Sequence, residues 1–280
     1  MIKMIADSTC DLTPALLKEM AIETLPLTIH FGSESYRDGI DLTNEEFYSK
    51  LAQAKELPTT SQIPPGDFED AFRPHVEAGH DVLVITLAAG LSATYESAIT
   101  AAKRVSPEKI HVVDSMSGSF GHVLLLKQAV KMRDEGKLSA AEIAAELRRL
   151  APRIRLYAVV DTLKYLKMGG RLSGGAALIG GLLGIKPLIY VQEGKVLSMA
   201  KVRGEKNVIK TLLEYFLKDN PQLQYGVTFG NSVARPLMEE TIRQFKPHLG
   251  DTEIYAGDLG AVIGTHTGPG VVGVGFIMPE

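Results

Sequence analysis

The chain has 280 residues, 45% hydrophobic and 22% charged, with a net charge of -3, which is ordinary globular material long enough for one large domain or two packed ones. So small and evenly spread a charge leaves no electrostatic footprint for nucleic acid, and no uninterrupted apolar run reaches the ~20 residues of a membrane helix. The single cysteine, Cys10, excludes an internal disulfide, and the opening Met1-Ile2-Lys3-Met4-Ile5 is too short for a signal peptide, so a soluble cytoplasmic protein without stable membrane insertion is expected.

Strands and helices alternate along the first half. Residues 2–6 read as a short apolar strand, and Thr13-Pro14 opens a helix to residue 20 with proline at the favoured first position. Residues 24–31 read as a second strand. Thr43-Asn44-Glu45-Glu46 makes a capping box for a helix over 47–53, and a further helix covers 68–78. Residues 82–87 are a continuous apolar run, the mark of a strand buried on both faces. A helix over 94–104, a strand over 110–113 and helices over 124–133 and from Ser139 to 150 follow. This alternation implies a parallel sheet with right-handed crossovers.

From about Arg155 the pattern changes. A strand over 156–160 and a short helix over 163–168 lead into a glycine- and alanine-rich stretch over 172–184. Residues 185–192 and 195–202 flank Glu193-Gly194 as an antiparallel hairpin. Helices over 208–217 and 233–245 and strands at 225–229, 253–256 and 271–277 complete a second lobe. The fold class is therefore α/β, with an N-terminal parallel-sheet lobe over 1–153 and a C-terminal mixed-sheet lobe over 154–280.

Small hydroxyls, one guanidinium and one imidazole make up the chemistry. They are Thr60 and Ser61 in a Pro-bounded loop, Ser92 in Gly90-Leu91-Ser92-Ala93-Thr94, Arg171 after Gly169-Gly170, and His266 in Gly264-Thr265-His266-Thr267-Gly268-Pro269-Gly270. Together they suit an anion, with Arg171 and His266 as its cations. Ser92 follows the strand at 82–87 and precedes a helix, where ligands of open α/β sheets bind. Taken alone, a serine there caps its helix, and Thr60-Ser61 makes a turn. The same segment nearly matches the G-x-S-x-G nucleophile elbow and precedes Asp161, Asp258 and His266 in the order of a hydrolase triad. Thr94 replaces the second glycine of that elbow, no His-Gly-Gly oxyanion loop occurs, and an apolar strand follows His266. A serine hydrolase with Ser92 as nucleophile and His266 as base therefore stands as the alternative.

No cofactor and no metal are expected. Gly270-Val271-Val272-Gly273-Val274-Gly275 has glycines in the order G-x-x-G-x-G with no helix after them, unlike a dinucleotide loop. Asp7 and Asp11 flank Ser8-Thr9-Cys10 without a neighbouring histidine, which suits helix initiation and loop hydrogen bonding better than metal binding.

The sequence resembles the DegV family along its whole length. The resemblance runs through Asp7-Ser8-Thr9-Cys10-Asp11-Leu12, Thr60-Ser61-Gln62, Gly90-Leu91-Ser92-Ala93-Thr94-Tyr95 and Asp161-Thr162-Leu163. It continues through Gly169-Gly170-Arg171, Ile185-Lys186-Pro187, Lys201-Val202-Arg203-Gly204 and the 264–270 turn. It implies a fatty-acid-binding protein with no catalysis of its own, the acyl chain in a tunnel and the carboxylate near the interface of two α/β lobes. It also implies a fatty acid kinase as partner, with docking near Arg203. The head group would be held by Thr60, Ser61, Ser92, Arg171 and His266, and the glycine-rich 176–184 stretch would line the tunnel. A C16 acid removes about 14 methylenes from water at about 0.8 kcal/mol each, on the order of 11 kcal/mol before ordering costs. An unpaired buried carboxylate would cancel much of that gain, which is why the head needs donors and a cation.

Overall fold

The structure, a computed structural model, describes residues 1–174 and 184–280. The chain begins β1 (Ile2–Asp7), α1 (Pro14–Glu19), β2 (Ile22–Leu25), β3 (Thr28–Phe31), β4 (Glu34–Arg37), α2 (Asn44–Gln53) and β5 (Thr59–Ser61). It continues α3 (Pro65–Glu77), β6 (Asp81–Thr86), α4 (Thr94–Val105), β7 (Ile110–Asp114), α5 (Phe120–Glu135) and α6 (Ala140–Leu150). Strands β2-β1-β6-β7 form a wholly parallel sheet. Helix starts follow local chemistry: Thr13 caps α1, and Thr43 and Ser139 each close a capping box with the glutamate three residues on.

The single strand read over 24–31 divides in two. Pro26 has no N–H to give a ladder, so the chain turns there. β2 stays in the parallel sheet, while β3 pairs antiparallel with β4 and β5 in a separate three-stranded sheet. That small sheet was not evident in the sequence.

The rest of the chain runs β8 (Ile154–Val159), α7 (Lys164–Met168), β9 (Leu172–Ser173), β10 (Ile185–Gln192), β11 (Lys195–Arg203), α8 (Glu205–Lys218) and β12 (Val227–Ser232). It ends α9 (Arg235–Phe245), β13 (Ile254–Asp258), α10 (Ala261–Thr267) and β14 (Val271–Ile277). These strands form a mixed sheet in the order β13-β12-β14-β8-β10-β11-β9, with β10 and β11 as the expected hairpin. The α/β class, parallel in the N-terminal part and mixed in the C-terminal part, is as expected.

Two helices knit the sheets together. The first half of α5 is buried on every side and packs against β6 of the parallel sheet and β8, β12 and β14 of the mixed one. α10 reaches back from the C-terminal half to pack on α2, α7, β3 and β5. The 264–270 segment was read as a turn, but its first residues are helical. Thr265 and Thr267 return their hydroxyls to the carbonyls four residues earlier, and packing holds this glycine-containing segment helical. Among the described residues no helix is long and apolar enough to cross a membrane.

Candidate functional site

The floor of the site is one face of the mixed sheet. Leu156 and Ala158 of β8 lie in register with Val191 and Ile189 of β10, and Val196 of β11 continues the row. Leu27, Leu87, Leu91, Leu259 and Ile263 close over this face from the other side. The space between the two is lined mainly by apolar side chains, as small-molecule sites are. The β10–β11 turn is tied to the loops that follow β6 and β7. Gly194 N–H donates to the Met116 carbonyl at 2.9 Å, and a Cβ on Gly90 would overlap the Gly194 carbonyl. Residues 176–183 of the glycine-rich stretch expected to line the space lie outside the described residues.

The polar lining comes from four separate loops and elements. Asp7, at the end of β1, accepts from Leu87 N–H at 2.6 Å and from Thr9 N–H at 3.0 Å. Its role is thus loop hydrogen bonding, and it fixes the segment after β6 that carries Ser92. Ser92 lies just outside α4, its Oγ accepting from Thr94 N–H at 3.3 Å and standing 3.0 Å from Thr94 Oγ1. Arg171 donates from Nε to the Leu91 carbonyl at 3.0 Å and from Nη1 to the Gly169 carbonyl at 2.6 Å. The Thr60 hydroxyl is 2.8 Å from His266 Nε2. Thr60, Ser92, Arg171 and His266 all line the same cavity.

Ser61, unlike Thr60, is not among the residues lining the cavity. Successive residues of a strand point to opposite faces, so with Thr60 facing the cavity Ser61 faces away and hydrogen-bonds half-buried His30 at 2.6 Å. His266 lines the cavity. Burial, reinforced by the Arg171 charge, lowers its pKa to about 4, so it is neutral at pH 7. Arg171 is the cation. Nδ1 and Cε1 of the His266 ring lie against Gly169, and Nδ1 is buried with no hydrogen-bond partner among the described residues.

The hydrolase triad is not assembled. Among the described hydrogen bonds Ser92 Oγ meets Thr94 and His266 meets Thr60. Asp161 pairs with Lys186 at 2.7 Å, and Asp258 pairs with Asn231 and Arg235. No group of three metal-ligating side chains occurs among the described residues.

Thr60, Arg171 and His266 also form one side of an open depression that Lys55, Lys164 and the 65% exposed Met168 complete. The polar cluster therefore stands between an apolar interior and solvent. Sequence reading missed Phe120, Ser119 and Thr267, which line the cavity as well. Phe120 gave no signal, because it opens a helix that reads as ordinary core. At the far end of α10 the buried Asp38 carboxyl is raised to about 6 by burial, partly offset by hydrogen bonding from Ser8 and from the Ala261 and Val262 N–H groups.

A family model described as an uncharacterised protein of the DegV family matches residues 1–278. A DegV domain-containing protein of Caldanaerobacter subterraneus subsp. tengcongensis is 34% identical over 278 residues, covering 98% of each chain. A DegV family protein of Thermus thermophilus, whose structure is described in terms of fatty acid binding, superposes with a TM-score of 0.90 at 32% identity over 99% of both chains. A stearic-acid-binding protein of Eubacterium ventriosum superposes with a TM-score of 0.89 at 30% identity, over 99% of this chain and 98% of that one.

Proposed function

This chain belongs to the DegV family, and on that basis we propose that it binds a long-chain fatty acid noncovalently and presents it to another protein. The observation that carries the reading is the join of a largely apolar enclosure to one polar cluster at its solvent side. Burial of the methylenes supplies the driving force. Arg171, with donors from Thr60, Ser92 and neutral His266, offsets the desolvation of the carboxylate. The structures of the Thermus and Eubacterium proteins, described as binding fatty acid and stearic acid, support the ligand class.

The reading includes no catalysis by this chain and a cytoplasmic setting. Its two lobes, residues 1–153 and 154–280, would meet around the ligand. The partner is a fatty acid kinase, as the family resemblance implies. Arg203, exposed at the end of β11, is the proposed docking residue, and the open side of the Arg171–His266 cluster is where a partner's active site would reach the head group. Intact-protein mass spectrometry tests the reading. Under native conditions the protein should carry the mass of one fatty acid, and denaturation should remove it. A protein that stays ligand-free after incubation with fatty acids, or one labelled stoichiometrically at Ser92 by a fluorophosphonate, would overturn it in favour of another ligand or of the hydrolase.

A further inference from the structure

The cavity-facing side of the mixed sheet changes character across its width. Over β8, β10 and β11 the row carries Leu156, Ala158, Ile189, Val191 and Val196, which face the cavity. Toward β14 and β12 the same rows continue as glycine: Gly273 pairs with Ala158, Gly275 with Leu156, and Gly230 with Gly273. Bare glycine on a sheet leaves a trough one side chain deep, and over Gly230 and Gly273 the Phe120 ring sits in it. A Cβ on Gly230 would overlap the Phe120 ring and stand 2.9 Å from its Cγ. A Cβ on Gly273 would stand 2.7 Å from Phe120 Cζ, whereas one on Gly275 would meet Thr228 Oγ1 first, at 2.6 Å. Phe120 is 4% exposed and lines the cavity on its other side. Its backbone is also held, since Thr228 Oγ1 donates to the Phe120 carbonyl at 2.8 Å.

We propose that Phe120, seated in this glycine trough, is the wall that sets how long an acyl chain the cavity accepts. The proposal rests on the fatty-acid reading above and assigns specificity to a residue outside the head-group cluster. The physical reason is that the trough continues the cavity floor. Without the ring the apolar space would extend over Gly273 and Gly230, giving further methylenes a place out of water. Conversely, any atom added behind the ring drives it toward the cavity. Close-packed interiors transmit such a displacement rather than absorb it.

The test loads wild type, Phe120→Leu, Phe120→Ala and Gly230→Ala with a mixture of saturated fatty acids of graded length and measures the retained acids after extraction. Wild type retaining no acid would sink the fatty-acid reading itself. With wild type loaded, Phe120→Leu and Phe120→Ala should shift the most abundant retained acid to a longer homologue, and Gly230→Ala to a shorter one. Phe120→Leu decides the matter if the alanine variant fails to fold. Gly230→Ala combined with Phe120→Leu should return toward the wild-type length, because Phe120 supplies the closest atoms to the added methyl. Folded, loaded variants with the wild-type length distribution would overturn the proposal and leave the fatty-acid reading standing.

Discussion

Gly169→Ala is a sharp probe of how the head-group cluster is held. Gly169 has an ordinary φ of -74°, so alanine fits its backbone and even gains a little by restricting the unfolded chain. The added Cβ, however, would lie inside van der Waals contact of His266 Nδ1 and 3.0 Å from Cε1. Ordinary contact between such atoms is about 3.5 Å, so the ring must move by about 1 Å. That displacement takes the 2.8 Å Thr60–His266 bond beyond useful length. It also misdirects the imidazole that would face a carboxylate. A hydrogen bond to a charged group contributes about 1.5 kcal/mol or more, so fatty-acid affinity should fall roughly tenfold. Competition against a fluorescent fatty acid measures the affinity, and urea unfolding at pH 7 should show no matching loss of stability. Wild-type affinity in Gly169→Ala, with unchanged imidazole chemical shifts, would refute the reasoning.

Ser92→Ala should weaken fatty-acid binding by about 1–3 kcal/mol if its hydroxyl reaches the carboxylate, whereas Ser61→Ala, on the far face of β5, should leave affinity unchanged in the same competition assay. Arg203→Ala should slow transfer to a kinase in a salt-dependent way with binding intact, read by comparing acyl-phosphate formation with occupancy. Asp38 holds its proton more tightly folded (about 6) than unfolded (3.8), so it costs nothing at low pH and progressively destabilises the fold as pH rises from about 4 to 6. At 1.36 kcal/mol per pH unit the full cost is about 3 kcal/mol. His266 runs the other way: with a folded pKa near 4 against 6.5, it costs stability as pH falls from 6.5 toward 4. The two slopes oppose, so Asp38→Asn should expose a fall in stability toward acid that urea titrations of the wild type largely hide.

Local rules carried the fold a long way. The uninterrupted apolar run at β6 and the hydroxyl–glutamate pairs before α2 and α6 announced those elements, because a buried strand and a capped helix each need only nearby residues. What depended on distant partners was not legible. Pro26 divides a strand whose halves join different sheets, and the sequence does not say which. The α10 helix holds two threonines and a glycine, so its propensity is poor. It is kept by packing against α2, β3 and β5.

The site followed the same division. Thr60, Ser92, Arg171 and His266 were legible as chemistry and as family motif, and they do come together. Ser61 stood beside Thr60 in sequence, yet strand alternation turns it away. The charge of His266 depends on burial that no local pattern reveals. Gly273 read only as part of a failed dinucleotide loop. Its use as a seat for Phe120 requires α5 to be laid across the sheet.

A structure of the protein with stearic acid tests the central claim most directly. The account predicts one acid in the cavity between the mixed sheet and α10, its carboxylate within hydrogen-bond reach of the Ser92, Thr60, Arg171 and His266 cluster, and its tail over Leu156, Ala158 and Ile189. A carboxylate at the opposite end, or an acid bound only on the outer surface, would contradict it.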